Sequence, residues 1–205
     1  MSKVKNFYIN IAKSVHKHFN IPANVTHAMY YCVDTANRST VSDLSFSVPA
    51  NKNISIYIYA INNNFQKHFN VTLKHGSYTN SNIGFRAVVA QKANTVVNMQ
   101  SVVDKNTVKV NTNQNIEGII VGNDATIHVV PSMIIDTNRV QATHTVNIGH
   151  VNPDHLFYLM TKGVQRNLAM NLILKGLFNK LAQAQSKNST KLYNDIQDAI
   201  HKAMP

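Results

Sequence analysis

The sequence predicts a mainly β chain whose centre is a solenoid of stacked strands, with a sandwich as the alternative that the pattern leaves open. Three observations predict it. From about Ser45 to Ile148, short β-rich runs recur at roughly 10–12-residue spacing, separated by Asn, Asp, Gly and Lys. No helical period lies between those runs, which excludes a βα-alternating sheet. The corners are rich in asparagine, and Asn and Gly tolerate the left-handed backbone angles that solenoid corners use, which favours the solenoid.

Taken in order, residues 1–44 read as an N-terminal helical or irregular segment. Phe7, Ile11, Val15 and Phe19 recur every four residues, which predicts one helix face over 4–19. The pattern ends at Asn20-Ile21-Pro22, since proline lacks an amide donor and disfavours helix in the residue before it. Residues 45–150 form the β core. Ile54, Ile56 and Ile58 alternate with Ser55, Tyr57 and Tyr59, and later runs include Ile83–Val89, Ile116–Val121, Thr126–Val130 and Val140–Ile148.

Residues 151–205 read as a C-terminal helical subdomain. Asn152-Pro153-Asp154 is a helix start: a cap, a first-turn proline and an acid at the positive end of the dipole. Leu156, Phe157, Met160 and Val164 give the first helix its stripe, and Gly163 ends it. A second helix covers about Gln165–Ala184, with Ala169, Ile173, Leu177 and Leu181 on one face. A polar linker, Gln183–Ser189, leads to a third helix capped by Ser189, with Leu192, Ile196 and Ile200 in line beside Tyr193 and Met204. These helices carry more apolar face than they can hide among themselves, so one face docks elsewhere.

Composition excludes several classes. The chain has 205 residues, 44% hydrophobic and only 14% charged, which is not the balance of a disordered chain. Its single cysteine, Cys32, excludes an internal disulfide framework and any zinc site built from several cysteines. No apolar run approaches the roughly 18 residues that span a bilayer, and the N-terminus lacks the pattern of a signal peptide. The expectation is therefore a cytoplasmic protein with no membrane partner. A net charge of +11 suits nucleic acid in principle. The basic residues are scattered, however, and acids are few, so the surplus reads as missing counter-charge and disfavours nucleic acid.

Candidate chemistry is sparse. Ten histidines show none of the strong metal-ligand spacings. His16 and His18 are expected on different faces of the N-terminal helix. His144 stands out: it shares a strand face with Val140, Ala142, Val146 and Ile148, so the apolar, inward face carries an imidazole. That is either a hydrogen-bonded core histidine or a functional group in a controlled environment. Cys32 sits in an apolar context with no basic neighbour and reads as an inert core thiol. No glycine-rich phosphate loop is present, so any ATP site belongs to another chain. Val121, Ile127 and Met133 are six apart, but the hexapeptide period of solenoid acyltransferases fails at Arg139. No catalytic residue is assigned, and the chain is expected not to be an enzyme.

Residues 125–164 carry a more specific pattern. Pro131 is followed by an apolar strand and a turn, then by the strand from Val140 to His144 that runs on to Gly149. Asp154, Leu156-Phe157-Tyr158-Leu159 and Lys162-Gly163 follow. This block resembles the SufB/SufD family of iron–sulfur cluster assembly proteins, and most resembles its SufD branch. The later segment Leu174-Lys175-Gly176-Leu177-Phe178 also looks like the family's, and Gly84-Phe85 does so more loosely. Ile134 departs from the acidic residue usual there, Lys162 from an arginine, and Ala142 from the cysteine of some members.

The resemblance implies a right-handed parallel β-helix flanked by helices. It implies a scaffold subunit beside a SufB-type subunit, or a second copy of itself in a homodimer, and a SufC-type ABC ATPase. In it, His144 matches the histidine tied to cluster assembly. Leu156, Phe157, Tyr158, Lys162, Leu177 and Phe178 become candidates for docking the ATPase. One thiol does not supply a cluster's usual thiolates, so the chain is expected to bind none stably alone, and an iron–sulfur cluster would pass through it only transiently, in the complex. Two other readings stand beside this one: a β-solenoid binding or structural protein without the assembly role, and a basic nucleic-acid-binding module.

Overall fold

The computed structural model describes residues 3–183 and 187–203. Met204 and the middle of the expected 183–189 linker lie outside them. The described residues form strands β1 (Val4–Ile11), β2 (Val15–Asn20), β3 (His27–Asp34), β4 (Thr40–Val48), β5 (Asn53–Asn62), β6 (Gln66–His75), β7 (Thr79–Ala90), β8 (Asn94–Val103), β9 (Val110–Val121), β10 (Thr126–Ile135) and β11 (Val140–His150). Helices α1 (Pro153–Thr161), α2 (Arg166–Gly176), α3 (Asn179–Ala182) and α4 (Lys187–Ala203) follow.

Odd strands build one sheet in the order β1-β3-β5-β7-β9-β11, and even strands build the other in the order β10-β8-β6-β4-β2. Every pairing is parallel. Each turn of chain therefore lays one strand on each sheet, so the fold is a parallel β-solenoid and not a sandwich. Successive turns stack like on like: His27 pairs with Asn53, Asn53 with Asn80, and Asn80 with Asn111.

The inward rows form the main core. Ile56, Ile83 and Ile116 face Leu44, Phe69, Val71 and Met99, all essentially buried. Period-two alternation produces this: on β4, Leu44, Phe46 and Val48 are buried while Val41 is exposed and Asp43, Ser45 and Ser47 are only partly buried. Corners use the left-handed backbone expected of them at Asn51 (φ 61°) and Gly122 (φ 103°), but also at Tyr78, Gln91 and Lys109. At Gly76 the need is space. Its amide donates to the Val48 carbonyl at 2.8 Å, and an added Cβ would lie 2.7 Å from the backbone nitrogen of Ala50.

The expected N-terminal helix over 4–19 is not formed; β1 and β2 occupy it. Apolar residues four apart fit a strand as well as a helix, because four is a multiple of two. Tertiary pairing decides between them. Phe7 pairs with Tyr30 and Phe19 with Phe46, their rings stacked at 4.7 and 4.8 Å. The solenoid thus begins at Val4, and the expected boundary between 44 and 45 falls inside β4.

The helices fold back on the outer face of the six-stranded sheet. Leu174, Phe178, Leu181, Leu192, Ile196 and Ile200 bury against Tyr31, Val33, Tyr59, Ile61, Val88 and Val121. The face that had to dock elsewhere docks on its own solenoid. Asn152 caps α1, accepting from the Asp154 amide at 2.8 Å, with Pro153 in the first turn. The single helix expected over 165–184 is broken at Leu177-Phe178 into α2 and α3, and Ser189 lies within α4 rather than at its cap. No helix among the described residues is long and apolar enough to cross a membrane.

Candidate functional site

β10 and β11 are the last strands of their sheets, so the solenoid ends there with two open strand edges. The row logic of the earlier turns continues into them. β8 turns Val97, Met99 and Ser101 inward, and their partners on β10 are Val129, Pro131 and Met133. β9 turns Thr112, Gln114 and Ile116 inward, and their partners on β11 are Ala142, His144 and Val146. In any earlier turn these positions would be sealed by the next rung. Here Val129, Pro131, Met133 and Ala142 are half-buried, while His144 and Val146 are exposed. Val130 and Ile134, on the outward rows of β10, add exposed apolar surface at the same end.

His144 therefore lies on the inward row that its alternation predicts, but it is not a core residue. It is solvent-exposed because its strand terminates the sheet. The reading of an imidazole enclosed by apolar neighbours is corrected accordingly. Beneath it lies a buried polar network that pattern reading missed. Gln114 Nε2 donates to Ser101 Oγ (2.9 Å) and to the Ser132 carbonyl (3.2 Å). Ser81 Oγ donates to Thr112 Oγ1 (2.8 Å), which lies 3.3 Å from Ser101 Oγ. The signal was present as polar residues, Ser81, Thr112 and Gln114, at inward register positions of otherwise apolar strands.

The six docking candidates separate into two groups. Phe157, Tyr158 and Lys162 are exposed, with the Lys162 ammonium 5.4 Å from the centre of the Tyr158 ring. Phe178 is buried and Leu177 half-buried in the second core, so these two hold the helices to the solenoid; Leu156 is buried as well, and none of the three offers itself to a partner. The exposed surface instead includes Met160, Leu168 and Leu172. Beside it a cleft of about 330 Å³ runs between Ile120, His150, Leu156, Met160, Arg166 and Met170. His150 Nδ1 donates to the Ile120 carbonyl at 3.2 Å.

Cys32 lies on the inward row between Ile9 and Ile58, fully buried, and burial pushes its thiol up to about 12. That is the environment of an inert thiol. His16 and His18 share the outward face of β2, because that segment is strand and not helix. His16 Nδ1 is 2.5 Å from Asp43 Oδ2, and His18 Nδ1 is 2.8 Å from Ser45 Oγ. Among the described residues no group of three or more His, Cys, Asp or Glu is placed to hold a metal ion.

Comparison with known proteins converges on one family. Residues 15–177 match the SufBD core domain of the SUF system for FeS cluster assembly. The chain is 27% identical over 104 residues to the iron-sulfur cluster assembly protein SufD of Bacillus subtilis (strain 168), and 22% identical over 119 residues to the SufD of Plasmodium berghei (strain Anka). Those stretches are 51% and 58% of this chain but only 21% and 9% of the respective relatives, so the match spans far less than two thirds of either.

Proposed function

Because this chain belongs to the SufBD core family of the SUF system, we propose that it is a non-enzymatic scaffold subunit for iron–sulfur cluster assembly. In this reading it pairs through the open end of its solenoid with a SufB-type subunit or a second copy of itself. It engages a SufC-type ABC ATPase through the exposed face of α1 and α2. The cluster is cargo, held only within the complex, since the chain's one thiol is buried and shifted away from reactivity.

The observation that carries the proposal is the uncapped last rung. The helices, which could have covered it, are packed on the flank of the six-stranded sheet, and β10 and β11 keep open edges. Strand edges next to half-buried apolar rows suit pairing with another sheet. His144 stands in the middle of that end, where an imidazole can donate or accept across an interface.

The test is reconstitution with a SufB-type and a SufC-type partner. His144→Ala should change stability by less than about 0.5 kcal/mol, as expected for an exposed side chain, and leave the complex intact while stopping cluster maturation. Val146→Asp should abolish subunit pairing. Wild-type maturation by His144→Ala, or pairing unaffected by Val146→Asp, overturns the assignment of the open end.

A further inference from the structure

Gln114 has an orientation that its neighbours determine. Its Nε2 reaches both Ser101 Oγ and the carbonyl oxygen of Ser132. A carbonyl only accepts, so the amide cannot be flipped, and its NH₂ must point toward β10. The amide oxygen Oε1 is then directed elsewhere. It is sealed from solvent and makes no hydrogen bond. A fully buried acceptor without a donor is costly, and such groups in folded chains call for a specific explanation.

The stacking order supplies a donor. In the inward row Ile83 pairs with Gln114, and Gln114 with His144. Ile83 offers nothing to bond. His144 is the next side chain on the same face, one strand spacing of about 4.8 Å away, and it carries an N–H on whichever nitrogen its tautomer assigns. It is also the one member of the row with freedom to turn, being exposed. Behind Gln114, the Ser81–Thr112–Ser101 bonds hold the platform from which the oxygen is presented.

We propose that Gln114 is a positioning residue for His144. Its Oε1 accepts the proton of one imidazole nitrogen, which selects one tautomer and leaves the other nitrogen's lone pair facing out of the open end of the solenoid. This rests on the reading of His144 as the functional imidazole of that end. It adds that the imidazole is presented to a partner or to cargo as an acceptor of defined orientation, set by an amide one rung deeper.

The experiment measures the imidazole ¹⁵N shifts of His144 in the ¹⁵N-labelled full chain, with the ring neutral, and uses exposed His155 in the same spectrum as internal reference. The wild type should show one dominant tautomer at His144. Gln114→Met, which keeps length and removes the acceptor, should move His144 to the tautomer mixture of His155. Gln114→Glu, which keeps an acceptor, should preserve the bias. Thermal melts establish which variants are folded, and if Gln114→Glu is not, Gln114→Met decides alone. A His144 mixture already equal to that of His155 in the wild type, or unchanged in Gln114→Met, overturns the proposal however His144→Ala behaves in maturation. If the tautomer shifts as expected while His144→Ala matures clusters normally, the positioning stands and the functional role of His144 falls.

Discussion

Lys67 Nζ lies 2.9 Å from Asp34 Oδ2 at a corner of the solenoid, and both side chains are completely buried. The ammonium also donates to the Ala36 carbonyl (2.8 Å), and Asp34 Oδ1 accepts from the Ala36 amide (2.8 Å). Burial raises the Asp34 carboxyl above its ordinary range, and the facing ammonium works against that rise. Two charges without water depend on each other, so removing one leaves the other uncompensated. Asp34→Asn should cost about 3–5 kcal/mol, read from denaturant midpoints. The pair replacement Asp34→Leu with Lys67→Met should recover most of that loss. Equal stability of Asp34→Asn and wild type would show that the pair is open to solvent in solution.

His75 predicts a pH dependence. It sits at another corner, 3% exposed, with Nδ1 3.5 Å from Thr79 Oγ1 and Nε2 unpartnered. Burial lowers its proton affinity from the usual 6.5 to about 4. A depressed folded-state value means that the unfolded chain takes up the proton first. The stability that neutral His75 contributes is full above about pH 6.5 and is lost progressively as pH falls to about 4, a loss of about 3 kcal/mol. Melting temperatures measured across that window should fall more steeply for the wild type than for His75→Leu. Parallel curves would place the imidazole in contact with water.

The helices predict a division between adhesion and recognition. Phe178 is fully buried against Tyr59, their ring centroids 5.7 Å apart, so Phe178→Ala should cost about 3–5 kcal/mol. Phe157 is 67% exposed and Leu168 55%. Charging them as Phe157→Glu and Leu168→Glu should leave stability within about 0.5 kcal/mol and remove binding of a SufC-type ATPase in a pull-down. Retained binding by both variants would move the docking surface off α1 and α2.

Much of this architecture was legible because corner chemistry and period-two alternation are local properties. Ile54, Ile56 and Ile58 announce their row without help from the rest of the chain, and Asn152-Pro153-Asp154 announces its helix. The N-terminal strands were not legible, because Phe7, Ile11, Val15 and Phe19 satisfy both periods and only pairing with Tyr30 and Phe46 breaks the tie. The parity of His144 could be read from its strand, but its exposure could not, since that depends on β11 being the last strand. Leu156 and Phe178 share the apolar character of Phe157 and Leu168. Which of them faces the solenoid depends on where the helices land.

The two ends of the solenoid differ in what a stacking neighbour would meet. At the start, the inward-row residues Lys5 and Lys17 lay their ammonium groups over the rings of Phe7 and Phe19, at 5.1 and 5.2 Å. Covering that rung means stripping water from two cations. At the finish, the inward rows of β10 and β11 hold Ile127, Val129, Pro131, Met133, Ala142, His144 and Val146, with no lysine or arginine among them. Among the described residues, a neighbour seated on the last rung therefore strips water from one imidazole and from no ammonium group, which makes that rung the less costly one to cover.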